Sequence, residues 1–127
     1  MKLLNETVYP STEKTIRVDD KLDGPDYGGA HSYNFQNSEG FKDGKTVYVD
    51  SYQTLDFVMK RDDGSFQPGL QSEQVLIALI DRHKKLNDKF PSREGALAIT
   101  KMEEALHWLQ ARVQERIDRG VMGDLKK

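Results

Sequence analysis

Ser72-Glu73-Gln74-Val75-Leu76-Ile77-Ala78-Leu79-Ile80-Asp81-Arg82-His83-Lys84-Lys85-Leu86-Asn87-Asp88, then the connector Lys89-Phe90-Pro91 and the long stretch from Ser92 to Gly120, decide the fold of this chain. Leu76, Leu79, Ile80, His83 and Leu86 recur at steps of three and four, which puts them on one face of an α-helix. Ser72 reads as its N-cap, and Glu73 suits the positive first turn. The pattern fades near Asp88. Ser92 caps the next helix, Glu94 lies near its positive end, and Gly120 stops it. Gly95 is a poor helix residue, but it falls in the first turn. The spacing therefore predicts an antiparallel helical hairpin over residues 72–119.

The two helices differ in length. At 1.5 Å per residue the first spans about 25 Å and the second about 42 Å. The second passes the start of the first near Trp108 or Leu109, and the rest overhangs. That overhang still carries Val113 and Ile117, in step with Met102, Leu106 and Leu109. An apolar stripe left in water is unfavourable by roughly 25 cal/mol per Å². It predicts cover from the rest of the chain and from another subunit, hence a homo-oligomer.

Beside the apolar arc, on one side of the second helix, stand Lys101, Trp108, Arg112, Arg116 and Arg119. Arginine forks match phosphate oxygens bidentately, and an indole face stacks on a flat ring. The simpler reading is ordinary: arginines near a helix C-terminus favour its dipole, Glu115 and Asp118 can pair with them, and Trp108 can be core.

Upstream the period changes to two. His31 to Gln36 alternates, with Tyr33 and Phe35 on one face. Asn37 to Gly44 carries turn residues. Lys45 to Asp50 is a strand with Val47 and Val49 facing one way. Thr54 to Lys60 is another, with Leu55, Phe57 and Met59 on one face. Asp62-Asp63-Gly64 is a turn signal. Residues 1 to about 30 read as an irregular arm, broken by Pro10, Gly24-Pro25 and Gly28-Gly29, with one short strand around Glu6 to Tyr9. The expected class is α+β: a small N-terminal antiparallel sheet over about 1–68, then the hairpin, in one domain of 127 residues.

Composition narrows the function classes. Apolar residues make up 36% and charged residues 31%, so the core is modest and subunit burial would help. Net charge is −2, which argues against coating a nucleic-acid polymer. There is no cysteine, hence no disulfide framework or thiol chemistry. The densest apolar stretch, Val75 to Ile80, is far too short for a membrane span, and the first residues lack a signal-peptide core. His31, His83 and His107 show no metal-ligand spacing. No phosphate loop, dinucleotide glycine pattern or nucleophile elbow appears. Neither a metal, a cofactor nor a catalytic set is expected. His31 follows Gly28-Gly29-Ala30 and opens a strand; a turn requirement is its default reading and a ligand contact the other.

The segment Phe90-Pro91-Ser92-Arg93-Glu94-Gly95-Ala96-Leu97-Ala98-Ile99-Thr100-Lys101-Met102-Glu103-Glu104-Ala105-Leu106, with His107-Trp108-Leu109 and the run to Arg119-Gly120-Val121, resembles the hairpin domain of phage anti-defence sponges directed against Thoeris and CBASS immunity. Gln74 to Arg82 resembles the family's first helix. Gly28-Gly29-Ala30-His31 with its following strand resembles the front of the Thoeris branch, which puts a sheet before the hairpin. In two places the chain departs from the pattern. Gly95 replaces the usual asparagine, and Met122, Asp124 and Leu125 replace a more polar, histidine-bearing tail.

The resemblance implies a sponge that binds immune signalling nucleotides without turnover, in the cytoplasm of an infected bacterial host. For the Thoeris branch the ligand is a glycocyclic ADP-ribose made by a TIR enzyme. Some members of the family also hold cyclic oligonucleotides at separate sites of a hexamer. The matched polar positions are Arg93, Glu94, Thr100, Lys101, Arg112, Arg116 and Arg119, with Phe90 and Trp108 as stacking faces and His31 from the front loop. Two other readings stand beside it: a phage structural adaptor whose hairpin only oligomerises, and an enzyme that degrades the nucleotide.

Overall fold

A computed structural model describes residues 2–19, 31–61 and 63–122. The chain divides into two compact units, Met1–Leu70 and Gln71–Lys127. The first holds a four-stranded antiparallel sheet in sequential order: β1 (Lys2–Leu3), β2 (Ile16–Val18), β3 (Ser32–Lys42) and β4 (Lys45–Asp56). A separate two-stranded ribbon pairs β5 (Met59–Lys60) with β6 (Phe66–Gln67). The second unit is an α-hairpin of α1 (Ser72–Lys89) and α2 (Arg93–Asp118). The α+β class and the order of sheet and hairpin are as the sequence predicts.

The sheet's register sorts its residues. Val18 lies opposite Tyr33, Ile16 opposite Phe35, and Tyr33 opposite Leu55. Alternation then puts Ile16, Val18, Tyr33, Phe35 and Leu55 on one face. The ring of Phe57 meets that of Tyr33 edge-on, with centroids 5.9 Å apart. Val18 is the buried anchor of the group.

Several expectations for this unit are corrected. The segment Glu6 to Tyr9 forms no strand; the short strands lie on either side of it. Asn37 to Lys42 is not a turn but the outer half of β3, and only Asp43 and Gly44 turn. Gly40, at φ +105°, sits where the pairing slips between Ser38 and Phe41. A glycine inside a strand here marks a bulge, not an end. The segments 45–50 and 54–60 are not two strands, because β4 runs without a break to Asp56. Its polar middle is satisfied across the ladder: Asn37 Nδ2 donates to Ser51 Oγ (2.7 Å), and Gln53 Nε2 donates to Asn37 Oδ1 (2.7 Å). Met59 belongs to β5 rather than to the sheet.

Gly64 turns the chain as expected, at φ +87° and with its N–H donating to the Arg61 carbonyl (3.0 Å). Asp63 accepts from the Ser65 hydroxyl (2.6 Å) and the Ser65 N–H (2.9 Å). Those bonds, the hydroxyl first, hold its carboxyl below the ordinary aspartate range. Asp62, the pairs Gly24-Pro25 and Gly28-Gly29, and the tail residues Asp124 and Leu125 lie outside the described residues.

The hairpin follows its sequence signals closely. The helix α1 starts one residue earlier than its capping chemistry suggested, since Gln71 rather than Ser72 is the N-cap; Gln74 Oε1 accepts from the Gln71 N–H (2.9 Å). Ser92 does cap α2, its Oγ accepting from the Gly95 N–H (2.9 Å). Gly120, at φ +72°, ends it: the Gly120 N–H bonds the Ile117 carbonyl and the Val121 N–H bonds the Arg116 carbonyl, the Schellman arrangement. Ser92→Ala should lower stability by about 1 kcal/mol, read as a lower urea midpoint at unchanged slope.

Within the hairpin only Ile80 and Ile99, each 8% exposed, are buried among the described residues. Two partly exposed inter-helix features bracket them. Lys84 Nζ lies 3.5 Å from a Glu103 carboxylate oxygen. A shallow groove runs between Ile77, Leu106, His107 and Gln110. Ile77 and Gln110 line the same groove, so α1 covers α2 beyond Leu109, further than helix lengths alone suggested.

Candidate functional site

The structure keeps Lys101, Trp108, Arg112 and Arg116 on α2, with Arg119 at its C-cap, but divides them by what they already hold. Lys101 Nζ sits 3.4 Å from Glu104. Arg119 pairs with Glu115 one turn back. Arg116 Nη2 donates to the Val121 carbonyl (3.1 Å), tying the chain that leaves the helix back onto its last turn. For these three, the ordinary salt-bridge and capping reading is realised. Arg112 is different: it is exposed and has no side-chain partner among the described residues. One turn before it, Trp108 is 70% exposed, its ring edge-on to that of His107. The reading of Trp108 as core fails. An exposed indole beside a free guanidinium offers a stacking face and a bidentate anion donor on adjacent turns.

The other end of α2 presents a second group. Phe90 is 68% exposed, with Lys89 Nζ 5.6 Å from its ring centre. Arg93 is exposed and free of partners among the described residues. Four N–H groups open a helix without intrahelical acceptors. Here the Ser92 N–H is taken by Asn87 Oδ1 and the Gly95 N–H by Ser92 Oγ. The N–H groups of Arg93 and Glu94 have no acceptor among the described residues. Glu94 is exposed, and Thr100 turns its hydroxyl onto the Ala96 carbonyl (3.1 Å), so Thr100 is occupied within the helix.

Asn87 is the residue that sequence reasoning missed. Its Oδ1 accepts from the Ser92 N–H (3.1 Å), bridging the end of α1 to the cap of α2. A Cβ at Gly95 would fall 2.7 Å from that oxygen and 2.9 Å from Ser92 Oγ. The glycine is therefore the space in which the Asn87 amide sits. Gly95 was the available signal: a helix-breaking residue in a first turn asks what approaches it.

His31 belongs to the first unit and the other candidates to the second. It is buried at the start of β3, and its carbonyl accepts from the Phe57 N–H (2.7 Å). Next to it Ser32 Oγ donates to Asp56 Oδ1 (2.7 Å), which locks the first rung between β3 and β4. Among the described residues no group of three or more His, Asp or Glu side chains could hold a metal ion. No helix of the described residues is long and apolar enough to cross a membrane.

Residues 59–114 match the family described as Acb2/Tad1, hairpin domain. A relative from Bacillus phage SBSphiJ7, described as Thoeris anti-defense 1, is 45% identical over 60 residues. That match covers 46% of this chain and 42% of the relative, so less than half of either protein is aligned.

Proposed function

We propose that this chain, whose residues 59–114 match the family described as Acb2/Tad1, hairpin domain, is a phage anti-defence sponge that sequesters a cyclic ADP-ribose-type signalling nucleotide in the infected host. The observation that carries the reading is Trp108, exposed one turn from Arg112, which has no side-chain partner among the described residues. A protein gains nothing in folding from an indole left in solvent. A nucleotide supplies what both side chains lack: a flat base for the ring and a pyrophosphate for the fork.

The assembled form is a homo-oligomer, proposed as a hexamer. Arg93 and Arg112 lie about 30 Å apart along one helix axis. A nucleotide touching both ends of α2 needs two subunits, and the alternative is two kinds of site. The thin core of the hairpin favours such assembly, as do Leu97 and Ile117, both exposed. Glycocyclic ADP-ribose is the proposed ligand of the composite site, with cyclic oligonucleotides at separate sites. Binding proceeds without turnover.

A thermal-shift screen against cyclic ADP-ribose isomers and cyclic dinucleotides, followed by mass spectrometry of heat-released ligand, tests this. A ligand at a thousand times its Kd stabilises the folded state by about 4 kcal/mol. The expected result is a large rise in Tm with the nucleotide recovered intact. Recovery of a hydrolysed product would indicate an enzyme. No rise with any nucleotide would leave a hairpin that only oligomerises.

A further inference from the structure

Only Phe90, Pro91 and Ser92 lie between α1 and α2. The backbone of this connector is tied to the last turn of α1 at two points. The Phe90 N–H donates to the Leu86 carbonyl (2.8 Å), and Pro91 has no N–H to give. The Ser92 N–H donates to Asn87 Oδ1 (3.1 Å), a side chain rather than a carbonyl. Every other bond of Ser92 runs forward into α2: its Oγ accepts from the Gly95 N–H and its carbonyl from the Ala96 N–H (3.1 Å). At this end of the hairpin, the Asn87–Ser92 bond is therefore the polar tie between the cap of α2 and α1 among the described residues.

Asn87 and Gly95 depend on each other. A Cβ at residue 95 would lie 2.7 Å from Asn87 Oδ1 and 3.5 Å from its Cγ. The amide is the far end of a flexible side chain, so it can swing away from an added methyl, but only by leaving the Ser92 N–H. Alanine is the better helix residue. It would be accepted by the fold at the loss of the tie. What the tie sets is the start of α2. Arg93 follows Ser92 directly, and Phe90 precedes it by two residues. Both side chains are exposed, so packing does not fix them. Their relative direction is set by the backbone of residues 90–93.

We propose that Asn87 is a positioning residue for ligand binding at this end of the hairpin. By holding Ser92 it presents Phe90 and Arg93 at a fixed spacing to the flat base and the phosphate of a nucleotide. Gly95 leaves the room that Asn87 needs. The assignment rests on the reading that a nucleotide meets the start of α2. Side chains carried on a preset backbone lose less freedom on binding than side chains the ligand must first order. The effect of Asn87 runs through Ser92 and requires no contact with the ligand.

The test is a double-mutant cycle on the full chain: Asn87→Ala, Gly95→Ala and the two combined. Calorimetry reads the affinity for glycocyclic ADP-ribose, and backbone amide relaxation reads the mobility of Phe90, Ser92 and Arg93 in the free protein. Each single variant should weaken binding about tenfold and make those amides more mobile. The combined variant should bind no worse than Asn87→Ala, because the tie is already gone. Gly95→Ala should raise the Tm more in that background than in the wild type, since the methyl then displaces nothing. A merely structural role would move the Tm and leave the affinity alone. Wild-type affinity in both single variants, or amides as rigid in Asn87→Ala as in the wild type, would overturn the proposal. Losses of affinity that add in the combined variant would overturn the coupling of Asn87 to Gly95. A wild type that binds no nucleotide would overturn the sponge reading and this proposal with it, whereas a wild type that binds beside unaffected variants would overturn the proposal alone.

Discussion

Gly69→Ala is expected to destabilise the first unit by about 2–3 kcal/mol, the cost of forcing volume into a packed site. A Cβ at this position would lie 2.5 Å from the Val58 amide nitrogen and 2.6 Å from the Phe57 carbonyl oxygen. Both are backbone atoms and cannot swing aside. The approach is close because the chain returns to the end of β4: the Leu70 N–H donates to the Asp56 carbonyl (2.8 Å), and the Val58 N–H donates to the Leu70 carbonyl (2.9 Å). These bonds cover the β4 edge just past its last paired residue. Hydrogen exchange is the sharpest measurement, since the amides of Val58 and Leu70 should lose protection before those of Tyr33 or Asn34. Full protection in the variant would mean that residues 57–58 can move apart without cost.

The hairpin was legible in the sequence because helix periodicity, caps and stop all point the same way. Ser92 and Gly120 perform the roles their residue types suggest, and Ile80 falls on the face that spacing marks. The sheet was harder for a physical reason. Gly40 reads as a turn residue, yet its freedom serves a bulge. Ser51 and Gln53 read as a gap between strands, yet Asn37 satisfies both from across the ladder. Cross-strand partners do not show in a local window. The candidate site was legible as a list and not as a division. Residue spacing placed the cations on one side of the second helix, but which of them are already held depends on the rotamers of Glu104, Glu115 and the chain at Val121.

That division makes the most informative substitution Arg112→Glu. Nucleotide binding should weaken on the order of a hundredfold, from losing charge-assisted hydrogen bonds and adding repulsion. The free protein should keep its Tm and its oligomeric state, because Arg112 holds nothing among the described residues and exposed substitutions of this kind stay within about 0.5 kcal/mol. Arg116→Glu should also weaken binding, but it breaks the bond to the Val121 carbonyl and loosens the helix end by about 1 kcal/mol. Arg119→Glu faces Glu115 and should cost the α2 end a small amount, with the least effect on ligand. Calorimetric titration and light scattering on the three variants separate the outcomes. Normal binding in both Arg112→Glu and Arg116→Glu would remove this face of α2 as a pocket. Loss of the oligomer in Arg112→Glu would mean that its guanidinium faces a neighbouring subunit rather than a nucleotide.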